Sequence, residues 1–268
     1  MKYCLFWVLL LPLGAATQEL FTLTDAASNL PAHSLSVRTM SMGMKRLDGN
    51  GTNWHHIPDV GWGISKKWMI RSSIFLANRG AQPLKMEGVG LYTKYRFLSV
   101  DDEHKHFRIA AFARLGTNNT PIHMQELEIM GHNTGWETGL VATQLVQKTA
   151  VNAAVSWERV TNNFNGNKFP GNAPRDGINY TLAWGRLMYP KKYTSFKQVN
   201  LNTMVELVGQ YLPQTGEHFI DVLPTLQVIV NSQLKIDMAY RRQLTNSMFR
   251  TAPNGVMLKL EYTFFNIR

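Results

Sequence analysis

Polar and apolar residues alternate along most of the chain from about residue 34 onward. In segment 89–97 (VGLYTKYRF), the odd positions are apolar or neutral, whereas both charged residues, Lys94 and Arg96, stand at even positions. Because residues two apart on a strand point to the same face, this pattern predicts a strand with one apolar and one polar face.

Twelve segments of this kind divide the chain. They cover residues 34–42, 54–64, 67–77, 87–98, 106–116, 134–146, 149–160, 176–188, 197–211, 217–230, 233–245 and 255–266. Most have 9–13 residues, enough for a tilted strand to cross a bilayer, which takes about 9–11. The sequence therefore predicts an all-β fold, an antiparallel up-and-down transmembrane β-barrel of about twelve strands.

The connections between these segments alternate in length. Residues 65–66, 147–148 and 231–232 make short connections, whereas 117–133 and 161–175 are long. Alternating short turns and long exterior loops are typical of an outer-membrane barrel with both termini in the periplasm. A soluble β-sandwich has no reason to sort its loops in this way.

Composition narrows the class further. Charged residues make up 17% of the 268 residues and hydrophobic residues 44%, which argues against a disordered chain or a coiled coil. Lys and Arg number 28 against 18 Asp and Glu, giving a formal net charge of +10. These basic residues are scattered through predicted strands, turns and loops, so no single basic stripe points to nucleic acid as a partner.

The first residues have the three parts of an export signal. Lys2 precedes an apolar run over 4–13, and small residues follow at 14–17. We therefore expect a signal peptide over residues 1–17, a short periplasmic lead-in over 18–33 and a barrel over 34–268. The lead-in is expected to be a disordered terminus, with a docking role as the alternative. Cys4, the single cysteine, falls within the signal.

Charges on the polar face of the strands are expected in the barrel lumen. A charge that faces lipid costs about 2–4 kcal/mol at the bilayer midplane, and we assign no charged residue to the lipid face of strands three to twelve. The predicted lumen residues are Arg71, Lys94, Arg96, Arg108, Arg114, Glu137, Glu158, Glu206, Asp221, Lys235, Asp237, Arg241, Lys259 and Glu261.

We predict a narrow channel or small-solute transporter, but the lumen itself allows two interpretations. The charges can pair with one another and make a closed, non-conducting structural barrel. Alternatively, twelve strands can enclose a narrow passage, wider than the filled interior of an eight-strand barrel and narrower than a sixteen-strand porin. The slight basic excess then favours a small polar or anionic solute, and no cofactor is expected.

Outward aromatic residues collect near the ends of the predicted strands. Trp136 and Trp157 lie near the predicted exterior end, whereas Trp184 and Tyr262 lie near the periplasmic end. Two such groups are typical of the aromatic girdles at the membrane interfaces.

With its signal, alternating strands, sorted loops and aromatic-rich final strand over 256–265 (VMLKLEYTFF), the chain resembles Gram-negative outer-membrane β-barrel proteins. It is most similar to the uncharacterised twelve-strand, transporter-like barrels of that group. The resemblance implies insertion into outer-membrane lipid by the barrel-assembly machinery. The chain departs from the pattern in ending on residues 266–268 (NIR) rather than on an aromatic residue.

An enzyme and a metal-handling barrel are the alternative functions. Outer-membrane hydrolases of this size suggest His132 as a catalytic candidate at the start of the sixth strand, with Thr134 or a distant Ser as its nucleophile. Thioether and imidazole groups near the exterior mouth suggest soft-metal binding. The candidate ligands are Met40, Met42, Met44, His55, His56 and His123.

The connection between the fifth and sixth strands is predicted to contain a short helix. Thr120 can cap it, Pro121 suits its first position, residues 124–130 would form it and Gly131 can end it. Such a helix would lie over or inside the barrel mouth.

Overall fold

The chain forms one closed, antiparallel barrel of twelve strands in the computed structural model. The structure describes residues 21–49, 51–78, 82–122, 124–192, 195 and 197–267. Each strand pairs with its sequence neighbours, and β1 pairs with β12 to close the barrel. The predicted fold class is confirmed. Within the described residues, no helix is long and apolar enough to cross a membrane.

The strands, in chain order, are β1 (Ser34–Lys45), β2 (Thr52–Gly63), β3 (Trp68–Asn78), β4 (Lys85–Asp101), β5 (Lys105–Gly116), β6 (Gly135–Val146), β7 (Thr149–Val160), β8 (Asp176–Tyr189), β9 (Asn200–Tyr211), β10 (His218–Val230), β11 (Leu234–Asn246) and β12 (Asn254–Phe264).

Most strand ends lie within three residues of the prediction. The first strand continues to Lys45 because both of its neighbours extend beside it: Met44 pairs with Asn53 on β2 and with Gly255 on β12. The ninth strand begins at Asn200, three residues later than predicted.

The connections form two rims. The turn rim consists of the connections 64–67, 102–104, 147–148, 190–199 and 231–233, together with the start of β1 and the end of β12. The loop rim consists of the connections 46–51, 79–84, 117–134, 161–175, 212–217 and 247–253. The two longest connections, 117–134 and 161–175, lie at the loop rim and the shortest, 147–148, lies at the turn rim, although the turn-rim connection 190–199 is longer than the loop-rim connection 212–217.

The two faces of the barrel wall differ sharply in polarity. Leu140 and Leu182 are 50% and 52% exposed on the outer face, whereas Glu206 and Asp237 are fully buried on the inner face. This is the arrangement expected of a wall with lipid outside and a polar interior.

Three arginines depart from the predicted charge-free lipid face. Arg159, Arg186 and Arg242 are exposed at outward positions of β7, β8 and β11. All three lie within about four residues of the end of their strand, and Arg159 lies 3.5 Å from Asp176. Long arginine side chains tolerate such positions because their charged ends can reach the membrane interface.

The predicted helix over residues 124–130 is wrong. The segment is an irregular chain that bends into the barrel mouth, where Leu127 and Ile129 are buried. Its backbone groups bind lumen side chains instead of one another: the Leu127 N–H donates to the Gln210 side chain at 2.8 Å, and the Ile129 N–H donates to Glu158 at 3.0 Å. These contacts replace the hydrogen bonds that a helix would make.

The cost of an outward charge at the middle of a strand, compared with its cost at the strand end, tests whether the outer face of the wall contacts lipid. Leu140 stands at the middle of β6, whereas Val146 ends the same strand at the turn rim. We expect Leu140→Arg to lower the free energy of unfolding by about 2–4 kcal/mol and Val146→Arg by about 1 kcal/mol or less. Urea unfolding in phospholipid vesicles, followed by tryptophan fluorescence, measures both. Equal losses for the two variants would contradict a lipid-facing wall.

Candidate functional site

The lumen collects the charged residues that the sequence assigned to it. Arg114 and Arg241 are partly exposed within it, and Arg96 lies at the turn rim, where it donates to the Lys66 carbonyl at 2.7 Å. The others are buried: Arg71, Lys94, Arg108, Glu137, Glu158, Glu206, Asp221, Lys235, Asp237, Lys259 and Glu261.

Many of these charges are paired between neighbouring strands. Lys235 contacts Glu261 at 2.7 Å across β11 and β12, and Lys259 contacts Asp237 at 3.1 Å across the same strands. Charged groups taken out of water require such partners. Many of the lumen charges therefore form ion pairs with one another within the barrel wall.

Two further lumen charges lie on β1 and β2, the strands for which no lumen residue was predicted. Arg38 on β1 contacts Asp59 on β2 at 2.7 Å, and Asp59 also lies 3.3 Å from Arg71. Both residues stand at inward positions, so the same alternation could have identified them.

A cluster of four charges ties two loops to the wall at the loop rim. Arg250 binds both Glu126 and Asp221, at 2.8 and 2.7 Å, and Arg241 binds the same two carboxylates at 3.0 and 2.7 Å. The Arg250 guanidinium also lies 3.9 Å from the centre of the Phe219 ring. Burial opposes ionisation of Glu126, but the two guanidinium groups hold its pKa below its usual range. Arg250 and Glu126 lie in connections, where no periodic pattern marks them.

The main difference from the sequence prediction lies at the N-terminus. We call residues 21–30 the N-terminal segment; the sequence predicts them as part of a free periplasmic lead-in, but they lie inside the barrel. Phe21, Ala27 and Leu30 are 1%, 0% and 4% exposed. The chain leaves the lumen at the turn rim and passes close to the end of β2, where a Cβ on Gly63 would lie 2.0 Å from the Pro31 oxygen. Residues 1–17, predicted as the signal, and residues 18–20 lie outside the described residues.

One carboxylate holds the start of this segment. Glu206 on β9 accepts hydrogen bonds from the backbone N–H groups of Thr22 at 2.6 Å, Thr24 at 2.8 Å and Leu23 at 3.2 Å. Such charge-assisted bonds are shorter and stronger than neutral ones.

Lysines of the wall hold the carbonyl groups of the same segment. Lys259 donates to the carbonyls of Phe21 at 2.7 Å and Thr22 at 3.0 Å. Lys94 donates to the Ala26 carbonyl at 2.6 Å. Lumen charges thus satisfy backbone groups that would otherwise be buried without partners.

Asp25 is the charged side chain of the segment, and it faces a basic part of the wall. It lies 3.4 Å from Arg71 and 3.8 Å from Arg114. Burial raises the cost of ionising it, but the positive charges of Arg71, Lys94, Arg38 and Arg114 prevail and hold the pKa of Asp25 well below its usual range.

The candidate metal ligands lie on different faces. Met40, Met42 and Met44 point into the barrel, with exposures of 3%, 5% and 7%, and do not face lipid. His55 is also buried inside, whereas His56 lies on the outer face with Nδ1 2.9 Å from the Ser41 hydroxyl.

His123 lies outside the described residues.

His132, the catalytic candidate, is held by a carboxylate. Its Nε2 lies 3.0 Å from Glu128, and its ring centre lies 4.7 Å from that of His55. The hydroxyl of Thr134, one of the nucleophiles that the sequence left open, instead accepts from the Asn118 N–H at 2.8 Å and donates to the Asn118 carbonyl at 3.2 Å. The geometry therefore does not join His132 and Thr134 into a nucleophilic pair.

Comparison with known proteins supports the architecture. Over 88% of its length, the chain matches 97% of the COG4313 outer membrane channel from Pseudomonas putida F1, with a TM-score of 0.54 and 11% sequence identity. The chain has the fold of an outer-membrane β-barrel. It also matches the β domain of the Bordetella autotransporter BrkA, over 87% of this chain and all of that one, at a TM-score of 0.44 and 12% identity. No family model and no curated protein matches it.

The rate of thiol labelling tests how firmly the wall holds the N-terminal segment in the lumen. In an Ala27→Cys background, we expect Asp25→Asn to raise the rate of thiol labelling about tenfold or more, because breaking a buried ion pair is strongly destabilising. A water-soluble methanethiosulfonate reagent on the folded protein in detergent gives the rate. Asp48→Asn, which removes a carboxylate at the loop rim, is the matched control. Unchanged labelling in Asp25→Asn would contradict the assigned role of Asp25.

Proposed function

We propose that the protein is an outer-membrane channel or transporter for small polar solutes, closed in the described state by its N-terminal segment. The observation that carries the proposal is the way in which this segment is held. Glu206, Lys259 and Lys94 bind its backbone N–H and carbonyl groups, which water can also bind. Such a segment can leave the lumen without unfolding the strand ladder around it.

The same contacts favour anionic solutes. Arg71 and Arg114 contact Asp25, Lys94 and Lys259 bind backbone carbonyls of the segment, and Arg108 donates to the Ser28 hydroxyl at 2.9 Å. Release of the segment would leave these five cationic groups facing the passage without Asp25. Wall carboxylates such as Asp59 and Asp237 stay beside Arg71 and Lys259, so the expected preference for anions is slight. A ring of basic side chains favours anions in a pore.

At the loop rim, such a solute would first meet open space between the loops. A cavity of about 510 Å³ lies there, lined by Arg46, Lys85, Asn53, Asn119 and other residues of the loops and strand ends. In this proposal the loop rim faces the cell exterior and the turn rim faces the periplasm. Residues 1–17 direct export, and the barrel-assembly machinery inserts the chain into outer-membrane lipid.

Single-channel recording in a planar bilayer tests the proposal. We expect rare, brief openings in the unaltered protein and an open probability about tenfold or more higher in Glu206→Gln, because that change removes the charge that holds three backbone N–H groups. Glu103→Gln, which neutralises an exposed carboxylate in a periplasmic turn, is the matched control. Deletion of residues 18–30 should give steady conductance with anion preference under a salt gradient.

Heat-modifiable migration on gels first verifies that each variant is folded. A folded deletion variant that stays silent would overturn the proposal and favour the non-conducting structural barrel.

Acid is expected to open the channel through Asp25. Its pKa is depressed when the segment is seated and returns towards 3.8 when the segment is released. The ionised Asp25 carboxylate therefore stabilises the seated segment fully above pH 3.8, and this stabilisation is progressively lost as the pH falls below 3.8. Open probability should rise as the pH is lowered from 5 to about 3, and Asp25→Asn should be open more often at pH 5 and respond less to acid. An equal acid response in both proteins would contradict this assignment.

A further inference from the structure

We propose that Met42, Met44, Met124, His55 and His132 form a binding site for a soft monovalent cation, such as Cu(I) or Ag(I), at the inner side of the loop rim. These side chains line one small cavity of about 30 Å³, which is the scale of a single ion. The proposal does not depend on conduction, because an ion can bind at this rim whether or not the N-terminal segment moves.

Strand register brings the first ligands together. Met42 on β1 lies directly opposite His55 on β2, and both side chains are buried inside the barrel. Directly opposed residues on one face have Cβ atoms about 4.5–5.5 Å apart. Met44 stands two residues further along β1 on the same face, about 7 Å from Met42.

The connection between β5 and β6 supplies the remaining ligands. It bends into the mouth, so that His132 lies against His55 with ring centres 4.7 Å apart, and Met124 lines the same cavity. Gly131 makes this close approach possible: its φ is +150°, and a Cβ there would lie 3.3 Å from His55 Nδ1.

The donor set matches soft-metal chemistry. Thioether sulfur selects Cu(I) over hard cations, and imidazole is a good ligand for copper. A metal-binding imidazole commonly gives its other N–H to a carboxylate, and Glu128 lies 3.0 Å from His132 Nε2. The metal-binding atom of His132 would then be Nδ1.

The charge around the cavity also suits a cation. Glu126, Glu128 and Arg241 line the cavity, so these three groups sum to −1 when all are ionised, and Arg250 and Asp221 pair with each other beside them. Within the described residues, no group of three or more His, Cys, Asp or Glu side chains is arranged to hold a metal. Methionine sulfur completes the donor set proposed here.

Packing explains the other inward methionines better than binding does. Met40 and Met257 belong to the same buried apolar cluster as Met42 and Met44, but neither of them lines the cavity. They have the same side-chain chemistry and comparable burial, so they provide matched controls.

Competition for Cu(I) against the chromophoric chelator bicinchoninate, under anaerobic conditions, tests the site in the folded, detergent-solubilised protein. We expect one Cu(I) per chain. The volume-conserving double variant Met42→Leu/Met44→Leu should weaken binding about tenfold or more, whereas Met40→Leu/Met257→Leu should stay within about twofold. Mass spectrometry verifies that Cys4 has been removed with the signal, because a thiol would also bind Cu(I).

X-ray absorption of the loaded protein provides a second readout, with both sulfur and nitrogen neighbours expected around copper. Because leucine conserves the packing volume, heat-modifiable migration should be unchanged in both double variants. Absence of stoichiometric binding, or equal weakening in the two double variants, would overturn the proposed site. Neither result would alter the conductance expected from the Glu206 variant.

Discussion

The structure depends on one constraint: a backbone that crosses a bilayer must satisfy its own N–H and C=O groups. Closure of the ladder between β1 and β12 removes the free edges that an open sheet would present to lipid. With both edges paired, each strand divides its residues between lipid and lumen. The period of two in the sequence and the buried charges of the interior are therefore consequences of the same constraint.

Charges driven inward by lipid need partners, and the barrel supplies them in two ways. Neighbouring strands pair Lys235 with Glu261 and Lys259 with Asp237. The N-terminal segment supplies further partners, since its backbone and Asp25 are bound by wall residues such as Glu206 and Arg71. A segment with little apolar periodicity thus becomes ordered because the wall around it is charged.

Features that follow the period of two along a strand can be predicted from the sequence, whereas contacts between residues far apart in the sequence cannot. The strand over 149–160 is found with its observed ends, and inward charges such as Glu206 follow from parity alone. Arg250 and Glu126 come from loops far apart in sequence, so no local pattern could join them. Residues 124–130 have helix-like end signals, but Gln210 and Glu158 take up their backbone groups and prevent a helix.

The two rims are closed by interactions of different kinds, and this difference locates the movable part. At the loop rim, Arg250 and Arg241 share two carboxylates that are themselves buried, so separation would leave charges without partners. Towards the turn rim, the wall holds Asp25 and otherwise mostly backbone groups of the N-terminal segment, and water can replace the backbone bonds one by one. The half of the lumen towards the turn rim is therefore more readily opened, by withdrawal of the N-terminal segment, than the half closed by the loop-rim cluster.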